Sequence, residues 1–245
     1  MPTAHASGAW REDELHLAPV AGLVIHHMER WRQENIDPSL TFSRFSMDIL
    51  GQIGREEIQL STEVLRPGRT IELIETTAVI AGRATIRARA WLLQNGDTSS
   101  VVGEEFDALP RFEECEDVTG ELGWPGGFIA SVKAAQAPGR RPGRNKIWIT
   151  SELPLVEGEE AQPLAEFCKL LDTANGVAVR QKPEEWMYPN VDLTFHIFRE
   201  PQGIQMGLDT RVAFGANGIG LTSSVVHDAE GPVGTLNQSL TLRKL

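Results

Sequence analysis

The feature of this sequence that most constrains its fold is a repeat. One helix pattern followed by four strand patterns occurs twice along 245 residues. The first helix pattern opens at Ala18, with apolar residues recurring at spacings of three and four. The second is predicted over 163–175, because Pro163 suits a first helical turn and Asn-Gly is a typical helix end. Corresponding segments such as Ile58-Gln59-Leu60 and Ile204-Gln205-Met206 lie about 146 residues apart, which is what an internal duplication leaves behind.

Eight strand patterns follow the two helix patterns, four in each copy. The clearest begins at Asn190, where Val191, Leu193 and Phe195 alternate with polar residues. Short turns rich in Gly, Pro and Asn separate the strands, so consecutive strands are expected to be antiparallel neighbours. The predicted strands are 42–50, 58–66, 71–80 and 84–94 in the first copy, 190–199, 204–214, 219–227 and 233–243 in the second, and 128–136 and 146–153 between the copies.

A unit of one helix and four strands is too small to cover both faces of its own sheet. The sheet must therefore curve around the helix, and the two units must pair with each other. A curved antiparallel sheet wrapped around a central helix is the hotdog arrangement. The predicted fold class is thus α+β, a double hotdog of two tandem units. We place the N-terminal hotdog in residues 1–110 and the C-terminal hotdog in 111–245, with a linker at about 106–127.

Composition narrows the function classes. A formal net charge of −11 argues against non-specific nucleic-acid binding. No apolar run approaches the ~18–20 residues of a membrane span, and the N-terminus lacks the pattern of a signal peptide. The two cysteines have no CxxC spacing, so a cytoplasmic protein with free thiols is expected. Because no metal-ligand spacing, P-loop or dinucleotide fingerprint is present, we expect neither a metal nor a cofactor.

The last quarter of the chain resembles a known family. The strings that carry the resemblance are Asn190-Val191-Asp192-Leu193-Thr194-Phe195-His196, Arg199-Glu200-Pro201, Gly218-Ile219-Gly220, His227-Asp228-Ala229-Glu230-Gly231-Pro232-Val233-Gly234 and Asn237-Gln238-Ser239. They are similar to the C-terminal half of double-hotdog acyl-CoA thioesterases of the thioesterase II type and their thioesterase-like relatives. Residues 64–69 of the N-terminal half also resemble this family. The resemblance spans roughly residues 17–245.

The resemblance implies that water hydrolyses an acyl-CoA or acyl-carrier thioester to a free acid and a thiol. In the family, the catalytic site is built from an Asp on the first strand of the second unit, a Ser or Thr on the next strand and a Gln on the last. Asp192 and Gln238 match the Asp and the Gln. The hydroxyl position falls at Val212 or Ala213, neither of which has a hydroxyl, so Thr210 on the same strand is the candidate.

The resemblance also implies which residues lie near the substrate. Gly22 and His27 on the first helix and Asp172 at the end of the second helix are the substrate-binding candidates. The chemistry of the set is simple: a carboxylate near water can act as a general base, and an amide such as Gln238 can orient the water without titrating. The thioester oxygen needs donors, which a helix N-terminus can supply.

Two other functions remain open on the sequence alone. A hydratase or dehydratase acting on acyl thioesters needs a His–Asp or His–Glu pair, and His27 or His196 could supply the base. A non-catalytic acyl-thioester binding protein is suggested by the missing hydroxyl. In any of the three cases, the exposed edges of the predicted sheets favour a homodimer or a higher homo-oligomer.

Overall fold

The computed structural model describes residues 1–11 and 13–245 of the chain. Its helices are α1 Leu17–Asn35, α2 Gly127–Ala130, α3 Pro163–Cys168 and α4 Ala174–Val177. Its strands are β1 Leu40–Ile49, β2 Ile58–Arg66, β3 Ile71–Ile80, β4 Arg83–Gln94, β5 Glu116–Asp117, β6 Lys133–Gln136, β7 Arg144–Thr150, β8 Trp186–Met187, β9 Asp192–Ile197, β10 Met206–Phe214, β11 Ile219–Asp228, β12 Gly231–Thr241 and β13 Arg243–Lys244. The strands predicted at 58–66 and 71–80 are confirmed residue for residue as β2 and β3.

Most of the strands form one large antiparallel sheet. Within the described residues its order is β2-β3-β4-β1-β9-β12-β11-β10-β7-β6-β5. Strands β1 and β9 pair at the centre and join the two halves of the chain. Outward from this seam the order is β1-β4-β3-β2 on one side and β9-β12-β11-β10 on the other. The same order therefore occurs in both halves, as the sequence repeat predicts.

Helix α1 is the longest helix and packs its buried apolar residues into the main core, which it shares with both halves of the sheet. Gly22 sits where α1 crosses the start of the turn after α3. A Cβ added at Gly22 would lie 2.7 Å from Lys169 Cβ, closer than real Cβ contacts. The glycine therefore lets the two helical segments approach. Lys169 is itself buried, and its Nζ donates to the Leu153 carbonyl at 2.6 Å.

Two predicted elements differ from the structure in kind, and several other strands differ from their predicted bounds by one to three residues. The strand predicted at 128–136 is confirmed only over β6, because the chain first coils into α2. There Gly126 takes a φ of +104°, and both Gly126 and Gly127 lie against the backbone of the N-terminal segment. The helix predicted at 163–175 is interrupted: α3 ends at Cys168, a single 3₁₀ turn spans Leu171–Thr173, and α4 follows. The 3₁₀ turn at this interruption carries Asp172.

No helix in the described part of the chain is long and apolar enough to cross a membrane.

Candidate functional site

The 3₁₀ turn between α3 and α4 presents a buried carboxyl group, that of Asp172. Only 8% of its side chain is exposed. Its Oδ1 accepts two hydrogen bonds of 2.8 Å, one from Asn190 Nδ2 and one from Gln238 Nε2. Asn190 lies two residues before the seam strand β9, and Gln238 lies on β12, so two segments distant in sequence meet at one oxygen. The other oxygen, Oδ2, is left for a different partner.

Burial raises the pKa of Asp172 to about 7, because it penalises the charged form. The two amide donors act in the opposite direction, since they favour the carboxylate. The result is a carboxyl group whose protonated and ionised forms are close in free energy near neutral pH. Such a group can both accept and return a proton under physiological conditions.

His16 faces the free oxygen of this carboxyl group. It is the residue before α1, and its Nδ1 accepts a hydrogen bond of 3.1 Å from the Ala18 N–H, which caps the helix. The same Nδ1 lies 3.5 Å from Asp172 Oδ2. Burial lowers the pKa of His16 to about 4, so the imidazole is neutral at pH 7. Because Nδ1 is an acceptor, we assign the ring proton to Nε2.

A cavity of about 370 Å³ opens beside Asp172 and His16. This volume lies within the range of small-molecule sites. Asn190, Asn175 and Thr173 add to its polar side, and the charged Glu14 and Arg243 also line it. Much of the remaining wall is apolar: Trp10, Leu15, Leu17, Ile49, Ile53, Leu122, Trp124, Ile129, Val177 and Val191. The cavity thus combines a few converging polar groups with an apolar lining contributed by both halves of the chain.

Two tryptophans fix part of this apolar wall. The Trp10 and Trp124 rings pack edge to face with centroids 4.8 Å apart. Trp124 Nε1 donates to the Gly176 carbonyl at 2.9 Å, and a Cβ at Gly176 would meet that indole at 3.0 Å. Gly176 belongs to α4, directly after the turn that carries Asp172. The wall and the carboxyl group are therefore held by the same short segment.

The N-terminus of α1 also faces the cavity, through Leu17. Leu17 is the first residue of the helix, and its backbone N–H has no hydrogen-bond partner within the described residues. The positive end of the helix dipole lies at the same place. This end of the cavity can therefore stabilise negative charge on an oxygen atom.

The three residues predicted to be catalytic do not meet in one cluster, because each has a different hydrogen-bond partner. Gln238 is fully buried and donates to Asp172. Asp192 does not line the described cavity; its Oδ1 accepts from the Ser239 N–H at 2.6 Å. Thr210 is fully buried, and its Oγ1 bonds Ser224 Oγ at 2.8 Å, also away from the cavity lining. Roles for these residues remain predictions, but only Gln238 of the three contacts the buried carboxyl group.

Of the predicted substrate-binding residues, Asp172 alone lines the cavity. Gly22 instead packs against Lys169. His27 is half-buried on α1, and His196 is exposed on β9; neither is part of the described lining. Sequence reasoning missed His16 and Asn190. The available signals were weak: a His directly before a helix, and an Asn two residues before Asp192.

Two family models match the chain. One, described as the acyl-CoA thioesterase C-terminal domain, matches residues 112–242, and the other, the acyl-CoA thioesterase N-terminal domain, matches residues 6–93. No curated protein matches the sequence significantly.

Several solved structures share the fold at low sequence identity. An acyl-CoA thioesterase II, TesB2, from Mycobacterium marinum superposes with a TM-score of 0.67 at 16% identity, over 93% of this chain and 90% of that chain. A conserved protein of unknown function with a hot dog fold from Alicyclobacillus acidocaldarius gives 0.73 at 12% identity, over 98% and 90%. The dehydratase domain of RzxB from Pseudomonas fluorescens gives 0.51 at 12% identity, over 90% and 83%. These likenesses establish a hotdog-type fold.

Proposed function

Because the chain belongs to the acyl-CoA thioesterase family, we propose that it hydrolyses an acyl thioester to a free acid and a thiol, with Asp172 as the general base. One observation carries the assignment. A buried carboxyl group is held by two amides through one oxygen, while its second oxygen has no hydrogen-bond partner among the described residues, and Asp172 lines a cavity large enough for a small acyl group.

The proposed step uses the two oxygens of Asp172 differently. A water molecule attacks the thioester carbonyl carbon and gives its proton to Asp172 Oδ2, which forms a tetrahedral intermediate. The C–S bond then breaks, and the departing sulfur takes the proton back from Asp172. A pKa of about 7 suits both transfers, because the group gains and loses a proton at similar cost. His16, neutral at pH 7, adds no competing positive charge to the carboxylate.

The remaining groups orient the Asp172 carboxyl group and stabilise the oxyanion. Asn190 and Gln238 hold Oδ1, which restricts the rotation of the carboxyl group and leaves Oδ2 to accept the proton of the reacting water. The unpaired Leu17 N–H at the start of α1 is our candidate donor to the developing oxyanion. This assignment moves the role of the base from Asp192 to Asp172. The exposed hydrogen bond from Ser239 to Asp192 supports a structural role for Asp192.

The apolar wall of the cavity is the proposed acyl site. Its size favours short or medium acyl groups, and the two tryptophans form part of its wall. Coenzyme A and an acyl carrier would present the same thioester at this site. Both thioesters therefore belong in the substrate panel.

We also propose that the sheet is organised as two tandem hotdog units, residues 1–110 and 111–245. The repeated strand order on either side of the β1–β9 seam supports this division. Strand β2 ends the sheet and exposes most of its side chains, which keeps a homodimer through this edge as a prediction.

Thiol release from a panel of acyl-CoA and acyl-carrier thioesters tests the proposal. We expect turnover by the wild-type chain, and we expect Asp172→Asn to lower kcat by about 10²–10⁴-fold, the usual contribution of a general base. Asp192→Asn is the matched control, since it replaces the other candidate general base by the same Asp-to-Asn change. Turnover that survives in Asp172→Asn but is lost in Asp192→Asn would reverse the assignment.

A second function is favoured by one observation, the approach of His16 Nδ1 to within 3.5 Å of Asp172 Oδ2. A His–Asp pair of this kind could dehydrate a 3-hydroxyacyl thioester: one group removes the proton next to the carbonyl, and the other protonates the departing hydroxyl. The likeness to a dehydratase domain is consistent with this chemistry but concerns the fold alone.

The two enzyme functions separate in one assay. Formation of the enoyl absorbance from a 3-hydroxyacyl thioester, without thiol release, would favour the dehydratase; thiol release without enoyl formation favours the hydrolase. Saturable binding of acyl thioesters with neither reaction would favour a binding protein. We expect thiol release, because the Nδ1 of His16 is already engaged by the Ala18 N–H and is poorly placed to act as a base.

A further inference from the structure

A threonine outside the cavity lies directly opposite Gln238. Thr222 on β11 is the register partner of Gln238 on β12, so their side chains share one face of the sheet. Both residues are 0% exposed. Thr222 Oγ1 and Gln238 Oε1 are also both buried without a hydrogen-bond partner within the described residues. Buried polar atoms are almost always paired, directly or through an ordered water, so two orphans on facing residues call for an explanation.

The orientation of the Gln238 amide is what such a pairing would control. An amide group has a donor end and an acceptor end. Here the donor end, Nε2, serves Asp172 Oδ1. A flipped amide would turn Oε1 toward the carboxyl oxygen and lose that hydrogen bond. A hydroxyl group that donates to Oε1 favours the orientation that Asp172 needs.

The other half of the molecule lacks this polar pair. A shift of 148 positions maps Thr222 onto Ile74 and Gln238 onto Ala90 (222 − 74 and 238 − 90), and these two residues are also register partners. Both are buried apolar residues. The unit therefore folds with an apolar pair at this place, so the fold itself does not require a hydroxyl and an amide here.

A neighbouring pair of hydroxyls provides the contrast. Thr210 bonds Ser224 at 2.8 Å in the second half, and the same shift maps them onto Thr62 and Thr76, which bond at 2.6 Å. That hydroxyl pair belongs to both halves and so belongs to the fold. The Thr222–Gln238 pair occurs only in the half that carries Asp172.

We propose that Thr222 is a positioning residue: its hydroxyl donates to one buried water that in turn donates to Gln238 Oε1, and thereby keeps the Gln238 amide on Asp172. The inference rests on the proposed function for its kinetic consequence, and on the geometry alone for the orientation of the amide. The titratable groups that face Asp172 or share its cavity are His16, Glu14 and Arg243. None of them contacts Thr222 or Gln238 through a hydrogen bond or an ion pair within the described chain.

The test compares Thr222→Val, which keeps the shape and removes the hydroxyl, with Thr222→Ser, which restores it. We expect Thr222→Val to lower kcat by roughly 3- to 10-fold, the effect of one hydrogen bond, with little change in KM. We also expect the acid limb of the pH profile of kcat/KM to move to higher pH, because Asp172 loses a donor that favours its ionised form. Thr222→Ser should return both toward the wild-type values.

Thr76→Val is the matched control, because it removes a fully buried hydroxyl from the sheet of the first half without touching Gln238; it should leave the acid limb in place. A Thr222→Val protein with an unmoved acid limb, or a Thr222→Ser protein equally impaired, would overturn the proposal.

A second readout does not depend on hydrolysis. The side-chain amide resonances of Gln238, followed by ¹⁵N NMR, should be slow to exchange in the wild type and in Thr222→Ser, and should shift and exchange faster in Thr222→Val. The same spectra for all three proteins would overturn the orienting role. If the wild-type chain proves inactive but these spectra change as expected, the proposed function fails while the orienting role stands.

Discussion

The two halves of the molecule share a strand order but differ in the helix that each contains. In the first half a continuous helix, α1 over Leu17–Asn35, packs on the sheet with buried apolar residues such as Val24 and Met28. In the second half the helix is broken into α3, a 3₁₀ turn and α4, and the turn presents Asp172 to the sheet. The facing sheet residue Gln238 is polar, where the first half has Ala90.

This difference indicates how the halves divide their work. The first half supplies apolar wall and a helix N-terminus, through Ile49, Ile53 and Leu17. The second half supplies the carboxyl group and its amide partner. Burying polar groups lowers stability unless they are paired. A polar network that is present in only one half therefore indicates a functional site in that half.

Apart from the replacement of Asp172 itself, the largest expected effect comes from making the second half resemble the first. The double variant Thr222→Ile, Gln238→Ala installs the apolar pair of the first half. We expect kcat/KM for thiol release to fall by about 10²–10³-fold, comparable to the loss of an oriented donor at a reacting group. The free energy of unfolding in urea should stay within about 2 kcal/mol of wild type, because the apolar pair suits this fold. Full activity in the double variant would remove Gln238 from the site.

The next effect concerns two carboxyl groups with similarly raised pKa values. Burial raises the pKa of both Asp172 and Glu29 to about 7, and Glu29 Oε2 accepts from the Ala165 N–H outside the cavity. A pKa raised on folding means that the folded state binds more protons than the unfolded state between about pH 4 and 7. Each group therefore lowers the stability of the wild type as pH rises through that window.

Asp172→Asn and Glu29→Gln should each remove this loss. At pH 8 both variants should be more stable than the wild type by about 2–4 kcal/mol, and the gain should vanish near pH 4. Urea unfolding at the two pH values measures it. A gain that does not depend on pH would show that the carboxyl group ionises normally in the folded state.

A smaller effect is expected at the acyl wall. Trp124→Ala removes the indole held by Gly176, which should lengthen the cavity. The ratio of kcat/KM for a longer acyl-CoA to that for a shorter one should rise by about tenfold, the discrimination that a filled apolar pocket gives. Trp91, which is part of β4 and of no described cavity lining, provides the control through Trp91→Ala. An unchanged ratio in Trp124→Ala would place the acyl group elsewhere.

The smallest expected effect is at Gly22, where a substitution separates a role in helix packing from a role in substrate binding. Gly22→Ala places a methyl group against Lys169 and should cost about 1–3 kcal/mol of stability, as overpacking does. KM should stay near the wild-type value if the glycine serves only the helix crossing. A raised KM with unchanged stability would instead support the substrate-binding role predicted from the sequence.

Local patterns in the sequence predict much of the fold. Alternation and turn residues place β2 and β3 within their observed bounds, and the repeat predicts that both halves have the same strand order. Local patterns do not predict two features of the fold. Gly126 and Gly127 lie against the N-terminal segment where α2 begins, and neither Gly nor Pro follows Cys168 where α3 ends.

The site is less visible in the sequence than the fold. Gln238 and Asp172 are 66 positions apart, and no periodicity brings them together. Alternation assigns Asp192 a side of its strand, but it does not reveal that the Ser239 N–H engages that carboxylate. The comparison of Thr222 and Gln238 with Ile74 and Ala90 requires the observed strand register, because the paired strands of the two halves lie 148 positions apart and the sequence repeat indicates about 146. Once the register is known, differences between the duplicated halves become a usable signal for polar sites of this kind.

We propose that the reaction depends on the carboxyl group of Asp172 in particular. Another buried carboxyl group with a raised pKa, such as that of Glu29, does not replace it. The most direct measurement is the rate of thiol release at pH 8 by Asp172→Asn beside Glu29→Gln. The account predicts that Glu29→Gln stays within about twofold of wild type, while Asp172→Asn falls by about 10²–10⁴-fold. Equal rates for the two variants would contradict it.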